Sequence, residues 1–155
     1  SPGLLLGEAW AACIDQMSRS QASAAAILSP HAHAMTDVTG FGLAGHLLEM
    51  LTASGTTATI RLDAIPLMEG AVALAEAGLG SSLHPANLAA VSWQMTAPPG
   101  AKTLLLTDPQ TSGGLLVACA PDAVADVMAI FRREGFAAAA EIGTITAGPP
   151  RVAVG

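Results

Sequence analysis

The stretch TDVTGFGLAGHLLEML, residues 36 to 51, places a carboxylate, Asp37, ahead of two glycines, Gly40 and Gly42, and then an apolar helical pattern. A carboxylate at a strand end, followed by a glycine turn and a helix start, can hold a divalent cation. The backbone N–H groups of the helix start can hold an anion that rides on the cation, such as a phosphate. Gly40 and Gly42 permit a positive φ or close approach of a ligand to the main chain. The competing reading is that Asp37 caps the helix. It sits five residues before Gly42, and Thr39 is the better-placed N-cap. The cation reading requires the Asp37 side chain to face an open groove.

A second stretch, TDPQTSGG at residues 107 to 114, is richer than a plain turn. Asp108-Pro109 starts a turn, Thr111 and Ser112 offer hydroxyls, and Gly113-Gly114 allows close backbone approach at the start of an apolar run. Without GK[ST] it is not a Walker A loop. Asp108 is a conceivable second cation ligand, although an Asx-turn role suits it better. His31 and His33 lack a third ligand for zinc. His46 flanks the apolar stripe of the helix with no acid–base partner evident, so it reads as packing, and His84-Pro85 reads as a helix-entry loop. Cys13 and Cys119 have no CxxC spacing and read as buried free thiols in a reducing compartment.

The elements that would position these residues follow from periodicity. Residues 5 to 28 read as one helix, with Leu6, Ala9, Trp10, Cys13, Ile14 and Met17 inward and Ser29-Pro30 as its stop. HAHAMT reads as a strand leading to Asp37. A helix from Gly42 to about Ser54 turns Leu43, Leu47, Met50 and Leu51 inward, with Gly55 beyond its end. In TTATIRLD, Ala58, Ile60 and Leu62 alternate against Thr57, Thr59 and Arg61 as in a half-buried strand. Residues 67 to 77 read as a helix stopped by Gly78, and 80 to 100 as loop around a helical piece near 85 to 92. GGLLVACA reads as a central strand covered on both faces. Pro121 opens a helix to Glu134, with Val124, Val127, Met128 and Phe131 inward. Strands near 138–146 and 151–154 should finish the sheet as a hairpin. The pattern predicts one α+β domain, a sheet layered with helices.

Composition narrows the function. The 155 residues carry a net charge of −6, with 12% charged residues against about 25% in a typical soluble domain. No basic patch favours nucleic acid. The opening SPGLLLGEAW lacks the basic n-region of a signal peptide, and charge-free stretches are broken by Ser, His, Asn and Pro. The expectation is a soluble cytoplasmic domain without a membrane span. So few charges leave apolar surface showing, as on a face that meets another domain or subunit.

Taken together, MTDVTGFGLAGHLLEM, RLDAIPLMEGA, DPQTSGGLL and EIGTI…RVAV resemble the C-terminal half of selenophosphate synthetase (selenide, water dikinase), of the aminoimidazole ribonucleotide synthetase superfamily. Purine-synthesis members tend to have a third glycine where this chain has Phe41. The resemblance implies a three-layer α/β/α fold with a mixed or antiparallel sheet, partly ferredoxin-like. It implies an enzyme making selenophosphate from selenide and ATP, releasing AMP and phosphate, with Mg²⁺ on the nucleotide and Asp37 as a magnesium ligand. Thr39, Gly40, Gly42, Gly113 and Gly114 become candidate cofactor contacts. The family is homodimeric, with its cleft between two halves. Its reactive Cys or selenocysteine, its essential Lys and its glycine-rich segment belong to the N-terminal half, so no catalytic role passes to Cys13, Cys119 or Lys102. Alone, the chain is expected to be inactive. Two alternatives stay open: the C-terminal domain of a purine-synthesis sister enzyme, or a non-catalytic regulatory or scaffolding module.

Overall fold

The computed structural model describes residues 7–155, with side chains described from residue 11. The helices are α1 (Gly7–Ser18), α2 (Ala22–Leu28), α3 (Gly42–Ser54), α4 (Ala71–Glu76), α5 (His84–Val91), α6 (Ala101–Leu105) and α7 (Val124–Arg133). The strands are β1 (Ala32–Asp37), β2 (Thr56–Ile60), β3 (Met95–Thr96), β4 (Leu115–Cys119), β5 (Gly143–Ala147) and β6 (Arg151–Val154). The architecture is α+β, as expected, but the strands form two sheets. β1 and β4 make an antiparallel ribbon, and the other four run in the order β3-β6-β2-β5.

Each sheet has its own core. The apolar face of α3 (Ala44, Leu47, Leu48 and Leu51) packs on Ala58, Ile60, Val152 and Val154 of the larger sheet, with Val91 and Leu106 closing the side. Leu51 is wholly buried. Gly55 ends α3 in the left-handed conformation, φ 64, and returns its N–H to Leu51 O. The ribbon is covered by α2 and α7, through Ala24, Leu28, Val127, Ile130 and Phe131 against Met35, Leu115 and Val117.

Four expectations are corrected. The helix foreseen over 5 to 28 breaks after Ser18 and resumes at Ala22. Tertiary bonds draw the linking residues away: Arg19 donates to Gly135 O, and the Gln21 side-chain amide donates to Gly113 O. Leu6, Ala9 and Trp10 lie outside the residues with described side chains. Cys13 and Met17 are half-buried, but Ile14 is exposed.

The closing hairpin does not form, because β2 lies between its two strands. β2 pairs antiparallel with β5 on one edge and parallel with β6 on the other. The Gly-Pro-Pro link crosses the end of β2, where Thr57 Oγ1 donates to Pro149 O at 2.6 Å. β4 is half-buried throughout rather than central, having β1 as its sole strand partner among the described residues. The helix at 67–77 is shorter, Ala71–Glu76, after a glycine-led turn at Gly70. The alternation across β2 is as expected: Ala58 and Ile60 are buried and Thr59 is exposed.

Candidate functional site

The two motifs singled out in the sequence are one structural unit. β1 runs antiparallel to β4 with Asp37 opposite Leu115, which sets the end of one motif against the end of the other. Beyond the ladder, Val38 N–H donates to Gly114 O and Gln110 N–H to Thr39 O, both at 2.9 Å. Ala44 N–H donates to Leu106 O at 2.8 Å. Asn87, buried on α5, donates its side-chain amide to Gly40 O at 2.8 Å and Thr107 O at 3.1 Å. One amide therefore ties the glycine turn to the second motif.

The glycines divide into two kinds. Gly42 has φ 70, and a Cβ there would stand 2.8 Å from Leu106 O and 2.9 Å from the Thr107 carbonyl carbon. At Gly113 a Cβ would overlap Val38 O and the Gln110 side chain. Backbone fills the space at Gly42, and backbone together with the Gln110 side chain fills it at Gly113. Gly40 and Gly114 have no atom within 4 Å of their Cβ direction, so their main chain is open to approach from that side.

The start of α3 differs from expectation. Phe41 occupies the N-cap position without a side-chain cap, and Thr39 turns its hydroxyl to His46 instead. The amides of Gly42 and Ala44 are spent on Thr39 O and Leu106 O. These amides were foreseen as anion donors, but glycine at 42 lets residues 106–108 close over the helix end and use them first.

Asp37 is exposed, while its neighbour Val38 is 4% exposed. Strand alternation accounts for this, since Val38 enters the interior and Asp37 leaves it. Among the described residues no side chain hydrogen-bonds or ion-pairs with the Asp37 carboxylate. It lines an open groove of about 610 Å³ with Arg19, Gln21, Met35, Ser112 and Gly113. Arg19 is held at the rim by Gly135 O and lies 5.6 Å from the Phe136 ring centre.

Two features of that groove are unusual. Gln21 Oε1 is a buried acceptor with no partner among the described residues. Ser112 adopts φ 51, and among the described residues it is the one non-glycine in that region. Thr39, Gly40, Gly42, Gly114 and Asp108 are not part of this lining. Among the described residues no three His, Cys, Asp or Glu side chains converge. Asp37 is thus the one carboxylate in this lining, beside the Ser112 hydroxyl and the Arg19 guanidinium, and a single carboxylate suits a Mg²⁺ ion that keeps most of its waters.

Sequence reasoning missed a chain of polar contacts on α3. His46 is 8% exposed, its Nε2 lies 3.1 Å from Thr39 Oγ1, and its Nδ1 lies 2.8 Å from Glu49 Oε2. The acid–base partner that seemed lacking is Glu49. The i,i+3 spacing of His46 and Glu49 on one helix was the available signal. His31 and His33 are both exposed, and His84 opens α5 with Nε2 3.1 Å from Leu104 O.

Cys13 and Cys119 are free thiols but only half-buried. Burial raises the Cys119 pKa, and the negative charges of Asp122 and Glu141 raise it further. Lys102 is spent on Asp63 (Nζ to Oδ1, 2.5 Å), and this bond and charge lower the Asp63 pKa.

Comparison with known proteins agrees with this architecture. Residues 11–155 match the model of the family described as AIR synthase related protein, C-terminal domain. The chain is 49% identical over 128 residues to the selenide, water dikinase of Burkholderia pseudomallei (strain K96243), covering 81% of this chain and 36% of that protein. It is 44% identical over 128 residues to the selenide, water dikinase of Rhizobium meliloti (strain 1021), covering 81% of this chain and 37% of that one. The chain therefore spans little more than a third of the curated relatives it matches. A crystal structure of the hydrogenase maturation protein HypE aligns with a TM-score of 0.61 at 18% identity, over 84% of this chain and 35% of that one, which is a likeness of fold.

Proposed function

Since the chain belongs to the family of AIR synthase related protein C-terminal domains, we propose that it is the C-terminal domain of a selenide, water dikinase. In this reading the whole enzyme makes selenophosphate from selenide and ATP, with AMP and phosphate as products. The relatives named above support the assignment by their identity over most of this chain.

The observation that carries the site is the exposed carboxylate of Asp37, unpartnered among the described residues and set against Ser112 and Gly113. Asp37 would hold the magnesium ion, and the Ser112 hydroxyl, which lines the same groove, would be available to its remaining waters, since Mg²⁺ keeps several of them. The open backbone at Gly40 and Gly114 is where the nucleotide approaches, whereas Gly42 and Gly113 serve by letting the two motifs close on each other. Bound Mg²⁺ supplies charge neutralisation of the nucleotide phosphates.

The N-terminal half of the same enzyme completes the cleft and brings the reactive Cys or selenocysteine and the essential Lys. The enzyme is a cytoplasmic homodimer. Among the described residues no helix is long and apolar enough to cross a membrane. Exposed Ile14, Leu79, Leu83 and Trp93 offer apolar surface for partner domains.

The test is Asp37→Asn in the intact protein, which keeps the shape of the side chain and removes its charge. Selenophosphate formation should fall by roughly 10²-fold or more, the scale of losing one preorganised electrostatic group. The melting temperature should hold, since Asp37 is exposed. Undiminished activity would remove the magnesium assignment. The 155-residue chain alone should show no micromolar binding of Mg·ATP by calorimetry.

A further inference from the structure

Among the described residues the larger sheet has two free edges, β3 and β5, and they are built differently. The β3 edge is only Met95–Thr96, and Pro98-Pro99 follow closely. Short length and proline both block further strand pairing. The β5 edge has neither. Gly143–Ala147 reads Gly-Thr-Ile-Thr-Ala, uncharged and free of proline. Its register against β2 runs unbroken, from Gly143 opposite Ile60 to Ala147 opposite Thr56. All of it but Gly143 is exposed.

The hydrogen-bond phase between β2 and β5 shows which groups of β5 lie idle. Arg61 N–H donates to Ile142 O at 2.8 Å, and bonded pairs alternate along an antiparallel ladder. Thr59 with Thr144 and Thr57 with Thr146 are therefore the bonded pairs. The N–H and C=O groups of Gly143, Ile145 and Ala147 point the other way, to the outer edge. No described residue takes them up. Ile145 lies opposite the wholly buried Ala58, so its side chain belongs to the core face of the sheet. It is nonetheless 42% exposed, because no described strand continues the sheet beyond it.

We propose that β5 is a docking edge for a second copy of this chain, whose own β5 pairs with it antiparallel about a two-fold axis at Ile145. A two-fold contact needs a surface complementary to itself, and Thr144-Ile145-Thr146 reads the same in both directions. Ile145 then faces the partner's Ile145, and Thr144 faces the partner's Thr146. The bonded pairs of this ladder are Ile145 with its own copy and Gly143 with the partner's Ala147, which are the residues whose groups are idle. The two apolar core faces join at the isoleucine pair. Charge permits the contact as well. Glu141, the acid nearest in sequence, falls opposite the partner's Pro149 and is paired with Arg61 at 3.4 Å, so no like charges meet across the ladder. The contact needs neither nucleotide nor Asp37 and stands apart from the reading of that site.

The test is sedimentation equilibrium on the intact protein over a range of concentrations. A single strand pair is a small interface, so the association should be reversible and rise with concentration. Thr144→Lys combined with Thr146→Lys sets like charges opposite one another in the two-fold ladder and should weaken the association about tenfold. Thr144→Lys combined with Thr146→Glu sets opposite charges there and should keep it. Both threonines are exposed, so the fold should hold in either variant, which melting curves verify. Hydrogen exchange should show the amides of Gly143, Ile145 and Ala147 slowing as concentration rises. A mass that does not change with concentration overturns the pairing. So does undiminished association of the double-lysine variant, or lost association in the lysine–glutamate one. Amides of β5 that exchange equally fast in dilute and concentrated solution overturn it too.

Discussion

Replacing Gly42 by alanine tests whether the glycine turn exists to let two segments of this chain touch. The added Cβ would stand 2.8 Å from Leu106 O, 2.9 Å from the Thr107 carbonyl carbon and 3.0 Å from Asp108 O. These are backbone atoms, so no side chain can swing aside. The φ of 70 adds a left-handed penalty of roughly 1–2 kcal/mol for any L-residue. Forcing residues 106–108 outward costs about another 1–3 kcal/mol, by analogy with overpacked cores. It also strains the Ala44 N–H bond to Leu106 O and the Asn87 bond to Thr107 O.

A central value of about 3 kcal/mol corresponds to a fall in melting temperature of roughly 6–12 °C for a domain of this size. The assay is urea unfolding followed by circular dichroism, with Gly40→Ala as the comparison. Gly40 has no neighbour within 4 Å of its Cβ direction and no positive φ, so its alanine variant should stay within about 0.5 kcal/mol of the parent. If Gly42→Ala is as stable as Gly40→Ala, the close approach of 106–108 is wrong, and the explanation of the glycine spacing goes with it.

Asn87→Ala removes the clamp and leaves the carbonyls of Gly40 and Thr107 short of a donor. A loss of about 1–3 kcal/mol is expected, read by the same unfolding curves. Cys119, with its pKa raised by burial and by Asp122 and Glu141, should be a slow thiol. Its alkylation by iodoacetamide should trail that of glutathione at pH 8 and catch up only at higher pH, which mass spectrometry of the modified peptide would follow. The Asp63 carboxyl is held below its usual range by Lys102, so the ion pair stabilises the fold at neutral pH. That contribution is lost as pH falls through the lowered value. Because Asp63 is exposed, Asp63→Asn should shift the neutral-pH melting temperature little, and less still at 1 M salt.

Much of the fold was legible where its cause is local. The stripe of α3, the alternation of Ala58 and Ile60 in β2, the left-handed stop at Gly55 and the inward face of α7 all follow from neighbours within a few residues. The elements misread were those settled by distant partners. The helix foreseen over 5 to 28 breaks where Arg19 and Gln21 find Gly135 and Gly113, more than ninety residues away, to which no periodicity points. Strands β5 and β6 sit close in sequence, yet each takes β2 as its partner.

The candidate site divides along the same line. The sequence alone singled out Asp37, the glycine pairs and the hydroxyl-rich loop, because residue types carry their chemistry wherever they stand. It also pointed to the family through those same residues. Only the tertiary structure decided that the two motifs form one unit. It assigned Gly42 and Gly113 to backbone contact while leaving Gly40 and Gly114 open. It also made His46 the hinge of a polar chain from Thr39 to Glu49. A residue's chemistry is intrinsic, whereas its free space and its partners are properties of whatever the chain folds against it.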